Sequence, residues 1–233
     1  MHEDPDTWRK ALRAELLARR QAAPAAVRER ATAAIIEHLR TAFPAPGRLT
    51  LAFYTPFRAE PDLRPLIDEW RAAGARTALP VVVARGAPME FRLWWPGAPV
   101  TRGAFSLPMP DGTPLVTPEV VFLPPVGFDE QGYRLGYGGG FFDRTLAGLA
   151  PTPLKVGVAF DLARLPSIHP QPHDIPMDFV VTESGLWRLG RTRLERLTDG
   201  AVLLPARRGG DAAPHPPASP PCYLGELDDP ASP

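Results

Sequence analysis

Apolar positions recur every four residues through the N-terminal part of the chain and then change to short continuous runs separated by turn residues. Over 6 to 22, Trp8, Leu12 and Leu16 make one stripe, with Asp6 or Thr7 placed to cap a helix. Arg9, Arg13 and Arg20 lie off that stripe. Pro24 suits the first turn of a second helix, in which Val27, Ala31, Ile35 and Leu39 repeat the spacing up to Phe43. The pair predicts an N-terminal helical hairpin. Residues 49 to 54 then read as a buried strand, and 62 to 73 as a helix carrying Leu63, Leu66, Ile67 and Trp70 and stopped by Gly74. Residues 76 to 83 read as a second strand. A strand, a helix and a strand in that order predict a parallel pair with a right-handed crossover.

The same alternation continues. Residues 89 to 95 predict a strand, and 96 to 118 a connection rich in Pro and Gly. A strand at 119 to 124, a glycine loop, a helix at 141 to 149 and a strand at 154 to 160 form a second unit, and 178 to 182 a last core strand. The pattern in 186 to 190 and 194 to 204 is weaker. From Pro205 the character changes: 205 to 233 holds 8 prolines and few apolar residues, with no period among them. Such a segment cannot bury enough surface to offset its ordering entropy. The expected organisation is one α/β domain over 1 to 204 and a Pro-rich, disordered tail over 205 to 233.

Composition narrows the classes. The 233 residues include 31 Pro and 20 Gly, which disfavours long helices, yet 44% of positions are apolar or aromatic, enough for a core. Charges balance at 26 basic and 26 acidic, so no global field draws the chain to nucleic acid or an anionic membrane. No apolar run approaches the ~20 residues of a membrane span, and no secretory leader follows Met1. Cys222 has no partner for an internal disulfide. A soluble, cytoplasmic monomer is expected. Lys10 and Lys155 are the only lysines beside 24 arginines, so roles for a titratable amine are few and anion-binding forks are many.

Chemistry concentrates in PVGFDEQGYRLGYGGGFFDR, residues 125 to 144. A buried strand enters a loop with Gly136, Gly138, Gly139 and Gly140, which opens a helix. Glycines let successive amides converge on an anion at the positive end of a helix. Arg134 adds a cation and Asp143 a carboxylate, the donor set that a phosphate with Mg²⁺ needs. The plain alternative is a tight turn with close helix–strand packing. Phe141 stands where the dinucleotide motif needs its third glycine, and no lysine follows the loop as a triphosphate loop requires. In HDIPMDFVVTE, residues 173 to 183, Asp174 is either a turn cap before Pro176 or a second carboxylate for a cation. His173 and Asp178 flank it. In FYTPFRAEPD, residues 53 to 62, Thr55 and Glu60 fall at the carboxyl end of the first strand, where open α/β sheets bind ligands. Glu60 reads equally as a carboxylate on a helix dipole.

These segments resemble the 5-formyltetrahydrofolate cyclo-ligase family, also called methenyltetrahydrofolate synthetase, from about Trp8 to Glu183. GFDEQGYRLGYGGGFFDR is close to its F-D-x-x-G-x-R-L-G-x-G-x-G-Y-Y-D-R signature. RKALR, the segment from Tyr54 to Asp62 and HDxPxDxVVTE stand in the family's order. The fold implied is α/β: a three-layer, Rossmann-like, mostly parallel sheet with flanking helices behind the helical hairpin. The activity implied is ATP- and Mg²⁺-dependent cyclisation of 5-formyltetrahydrofolate to 5,10-methenyltetrahydrofolate, with ADP and phosphate released.

By the same resemblance, Arg9, Lys10 and Arg13 match the basic motif that meets the ATP phosphates. Arg134, Leu135 and the loop Gly136, Tyr137, Gly138, Gly139, Gly140, Phe141 and Phe142 match the ATP segment, of which Tyr137 to Phe141 also face folate. Glu60 matches the acid that engages folate, Thr55 a substrate-lining position, and Asp143 and Asp174 the magnesium carboxylates. Phe141 and Phe142 replace a usual Tyr-Tyr pair, Met109 a common glutamate and Ala163 a frequent glutamine. These departures leave a non-catalytic folate- or nucleotide-binding paralogue as the alternative. A sugar-phosphate isomerase would share only the fold.

Overall fold

The computed structural model describes residues 5–44, 46–103 and 106–198. The tail predicted over 205 to 233, with Cys222, lies outside them. Two helices come first, α1 (Pro5–Ala22) and α2 (Ala25–Ala42). They are followed by β1 (Thr50–Ala52), α3 (Arg64–Ala72), β2 (Arg76–Val81) and β3 (Glu90–Leu93). A small hairpin, β4 (Val100–Arg102) and β5 (Pro108–Pro110), sits inside the stretch read as a plain connection. Then come β6 (Val120–Leu123), β7 (Gly127–Asp129), β8 (Arg134–Leu135), α4 (Phe141–Gly148), β9 (Leu154–Val158), β10 (Arg164–Leu165) and β11 (Phe179–Thr182). The chain closes this part with β12 (Gly185–Leu189) and β13 (Leu194–Leu197).

Eight strands form the central sheet in the order β13-β12-β11-β9-β6-β1-β2-β3. The five inner strands are parallel, with Leu51 opposite Val120 and Thr77, and Val156 opposite Phe122 and Phe179. β3 and the β12–β13 hairpin add antiparallel edges. The inner order β2-β1-β6-β9-β11 reverses direction between β1 and β6, the crevice where doubly wound sheets bind ligands.

Alternation along the strands divides the core into two faces. Leu51, Val120, Phe122, Val156, Val158 and Val181 face α2 and α3, whose Ile35, Leu39, Leu66, Ile67 and Trp70 are buried there. Ala52, Val121, Leu123, Ala159 and Val180 face the other way, against Leu146 of α4. That gives three layers. The two N-terminal helices divide their work: α2 covers the main sheet, while Leu16 of α1 packs with Val126, Leu135 and Ile168 over the small β10-β7-β8 sheet. Asp129, fully buried, pins that small sheet by accepting the N–H groups of Gln131, Tyr133 and Ile168. No helix among the described residues is long and apolar enough to cross a membrane.

Candidate active site

The crevice at the carboxyl ends of β1, β2 and β6 opens into a cavity of about 220 Å³. One wall is apolar, built by Leu79, Pro80, Val82, Met89, Leu107 and Met109. The opposite wall is the glycine loop and the start of α4: Gly136, Tyr137, Gly139, Gly140, Phe141, Phe142 and Asp143. Thr55, Glu60 and Arg134 complete the lining. The polar residues are few among an apolar majority, as expected of a small-molecule site.

The loop conformation follows from its glycines. Gly140, at φ 61°, is the N-cap of α4, a left-handed position that any side chain strains. Gly138, at φ 94°, lets the Arg13 guanidinium come close: a Cβ there would lie 3.4 Å from Cζ. Arg13 Nε donates to Gly136 O at 2.9 Å, so α1 and the loop are joined through the arginine. Burial and then the charge of Arg9 push the Arg13 pKa down. An anion placed between these two guanidinium groups would relieve both effects.

Around the loop lie two cation–carboxylate pairs. Arg9 Nη2 donates to Asp174 Oδ2 at 2.6 Å, and to His169 O at 2.9 Å. The His169 ring meets Trp8 edge-on, 4.7 Å between centroids. Burial favours the neutral Asp174, but the Arg9 hydrogen bond and the Gln171 N–H overcome it and hold the carboxyl below its usual range. Arg134 Nη2 donates to Asp143 Oδ1 at 2.6 Å, and its Nη1 to Ile175 O at 2.7 Å. The Ile175 N–H reaches the same Oδ1 at 3.1 Å. The loop bearing Asp174 is thereby stitched to Asp143. Burial lowers the pKa of Arg134, against the raising effect of Asp143 and Asp174.

Among the described residues these bonds use one oxygen of each carboxylate and leave Oδ2 of Asp143 and Oδ1 of Asp174, the latter 3.9 Å from His173 Nε2. Among the described residues no three His, Cys, Asp or Glu side chains form a metal cage. Two carboxylates nevertheless suit Mg²⁺, which keeps waters and phosphate oxygens and takes one or two protein carboxylates. The donor set fits a cation that arrives on a polyphosphate.

Glu60 sits apart from these pairs, 7% exposed, at the apolar end of the cavity. It does not ride on a helix dipole; α3 begins only at Arg64. Its Oε2 accepts the Phe57 N–H at 2.9 Å, and its Oε1 the Tyr137 hydroxyl at 2.6 Å. Burial pushes its pKa up to about 7, opposed by Tyr137, Arg20 and the Phe57 amide. Burial, and then the Glu60 charge, push the Tyr137 phenol up as well.

Most of the positions singled out from sequence therefore meet: Arg9, Arg13, Arg134, Asp143 and Asp174 as one polar group, Thr55, Glu60, Tyr137, Phe141 and Phe142 around the cavity. Two do not join them. Lys10 is exposed on the other face of α1, and the Leu135 side chain is buried in the core beside Leu16. The reading of α1 changes more: Arg9 and Arg20, taken as lying off the buried stripe, are 6% and 3% exposed and face inward with Leu16. They were hidden because a hydropathy pattern counts every arginine as surface. Arg9, Arg13, Leu16 and Arg20 carry the i, i+4, i+7, i+11 spacing that could have revealed them.

A family model described as the 5-formyltetrahydrofolate cyclo-ligase family matches residues 5–183. The chain belongs to the 5-formyltetrahydrofolate cyclo-ligase family. A 5-formyltetrahydrofolate cyclo-ligase of Mycolicibacterium smegmatis is 36% identical over 180 residues, 73% of this chain and 91% of that one. The cyclo-ligase of Escherichia coli K12 is 35% identical over 145 residues, 59% and 80% of the two chains. The solved 5,10-methenyltetrahydrofolate synthetase of Aquifex aeolicus superposes with a TM-score of 0.67 at 28% identity, covering 87% of this chain and 99% of that one. The cyclo-ligase assignment, the enzyme class and the mixed α/β fold with its mostly parallel sheet thus agree with the expectations from sequence. Of the departures, Met109 lines the cavity and Ala163 is buried in the core.

Proposed function

We propose that the cavity is the site where this cyclo-ligase uses ATP, with Mg²⁺, to close 5-formyltetrahydrofolate into 5,10-methenyltetrahydrofolate. The observation that carries the reading is the junction of two unlike regions: a glycine loop ringed by Arg9, Arg13 and Arg134 beside an apolar cleft ending in Glu60. Polyphosphate suits the first region; the second suits a reduced pterin, whose ring faces can lie on the apolar wall while its N–H edge meets the carboxylate. The formyl group would lie where they meet.

A formamide oxygen leaves poorly. In the proposed reaction it attacks the γ-phosphorus of ATP, the bond to the bridging oxygen breaks and ADP departs. The cofactor's secondary amine then attacks the activated formyl carbon and loses its proton. The C–O bond breaks and phosphate leaves with the formyl oxygen. Phosphoryl transfer of this kind depends on positioning and charge neutralisation. Arg9 and Arg13 supply cations from α1, and Arg134 does so from beneath the loop. Amides of the loop, opening α4, face the phosphates. Asp143 and Asp174 would hold Mg²⁺, which neutralises phosphate charge when bound. Glu60 accepts N–H donors of the pterin, and Thr55 and the two phenylalanines border the ring.

The test is to mix purified chain, Mg-ATP and 5-formyltetrahydrofolate and follow methenyltetrahydrofolate absorbance. Product that requires ATP is expected, and an Asp143→Ala variant should lose nearly all turnover. Folded protein giving no product above a protein-free control would refute the reading.

A further inference from the structure

Arg20 is the inward guanidinium of α1 that the reaction scheme leaves without a task. Its side chain is 4% exposed, deeper than a surface ion pair requires. Nε donates to Arg58 O at 3.0 Å, Nη1 to Pro125 O at 3.4 Å and Nη2 to the Tyr137 hydroxyl at 2.7 Å. Nη2 also lies 3.7 Å from Glu60 Oε1, the oxygen that accepts the Tyr137 hydroxyl. One planar fork thus joins three segments: the turn bearing Glu60, the residues after β6, and the glycine loop.

The turn needs such a hold. Arg58 and Ala59 both have positive φ, 46° and 61°, and neither is glycine. Consecutive left-handed residues cost free energy and persist only where surrounding contacts impose them. Arg20 bonds the carbonyl of the first of them. Lysine could not replace it, because an ammonium presents one point of charge and no fork.

We propose that Arg20 is a positioning residue for folate recognition, acting through the Tyr137 hydroxyl and the Arg58 carbonyl to fix the Glu60 carboxylate in the cleft. The proposal rests on the folate role of Glu60 given above. Arg20 itself lies outside the cavity lining. Its charge also favours the ionised Glu60, against a burial effect that raises the pKa to about 7. Among the described residues, the other groups acting on that carboxyl are the Tyr137 phenol from the loop and the Phe57 N–H of its own segment, with the buried Tyr54 phenol nearby. None of these carries a positive side-chain charge, so removing Arg20 leaves the carboxylate to neutral donors.

The experiment compares wild type with Arg20→Met, Arg20→Lys and Tyr137→Phe. Each is characterised by melting temperature, by KM for 5-formyltetrahydrofolate and for ATP, and by a carboxyl ¹³C titration of Glu60. Arg20→Met should raise KM for folate about tenfold or more while leaving KM for ATP within roughly threefold. The Glu60 titration should move to higher pH. Arg20→Lys should recover most of the titration shift, which needs charge, but little of the KM, which needs the fork. If Arg20→Met does not fold, Arg20→Lys, which keeps the charge without the fork, carries the test and must raise KM for folate while leaving KM for ATP within roughly threefold. A folded variant whose two KM values are unchanged or rise together, or a folded Arg20→Met whose Glu60 titration stays put, overturns the proposal. Wild-type protein without cyclisation would instead refute the reaction, while the titration would still decide the role of Arg20.

Discussion

Arg9 and Asp174 stand 165 positions apart and meet in a 2.6 Å hydrogen-bonded ion pair, each side chain only 8% exposed. The pair closes the polar half of the site by tying α1 to the loop before β11. Removing one partner leaves a buried charge uncompensated, which typically costs about 3–5 kcal/mol. Asp174→Ala should therefore lower Tm, by something of order 10 °C for a chain of this size, as well as activity. Arg9→Met with Asp174→Asn should cost less than the sum of the two single changes, because neither charge is then stranded. Thermal melts of the four proteins check this; strict additivity would show that the pair is not coupled.

Glu60 gives a pH dependence of opposite sign to that of a paired carboxylate. Burial raises its folded pKa from 4.5 to about 7, so the folded chain holds this proton more tightly than the unfolded one. The stability linked to that proton is complete below about pH 4.5 and is lost as pH rises through 7. With Glu60 in its proposed folate role, binding needs the ionised form and should weaken below pH 7. Glu60→Gln should then raise Tm at pH 8 and leave it little changed at pH 5, while raising KM for folate at every pH. Melts at the two pH values and the folate KM test both halves. A variant less stable than wild type at pH 8 would contradict the burial argument.

How much of this was legible in the sequence depended on distance along the chain. The helix periods, the strand runs and the strand–helix–strand order gave the layers, because each rests on neighbours within one element. The glycine loop, Asp143, Glu60 and Asp174 were legible as motifs. The partners of Arg20 were not, since Tyr137 lies 117 positions away and the contact exists only once α1 crosses the small sheet. The apolar wall was equally hidden. Leu107 and Met109 reach it through the β4–β5 hairpin, whose three-residue strands lie in a stretch that composition marks only as a Pro- and Gly-rich connection. The β12–β13 edge was faint because, for example, Arg188, Glu195 and Arg196 on it are exposed, which blurs the alternation.

The last prediction concerns glycines that look alike in the sequence. At Gly138 a side chain must adopt φ 94°, and its Cβ would touch the Arg13 guanidinium at 3.4 Å. Gly138→Ala therefore combines left-handed strain, of order 1–2 kcal/mol, with a new contact on the cation proposed to meet the ATP phosphates. KM for ATP should rise more than KM for folate, because Arg13, which holds Gly136 O, is proposed to meet the phosphates whereas Glu60 is proposed to meet the pterin. Gly148 closes α4 with no atom within 4 Å of an added Cβ and no positive φ. Gly148→Ala should leave both KM values unchanged and add up to about 0.5–1 kcal/mol of stability, since alanine restricts the unfolded chain and suits a helix. Steady-state kinetics and melts of the two variants separate the effects. Equal rises in the two KM values of Gly138→Ala would show that the contact between Arg13 and Gly138 has no special part in holding ATP.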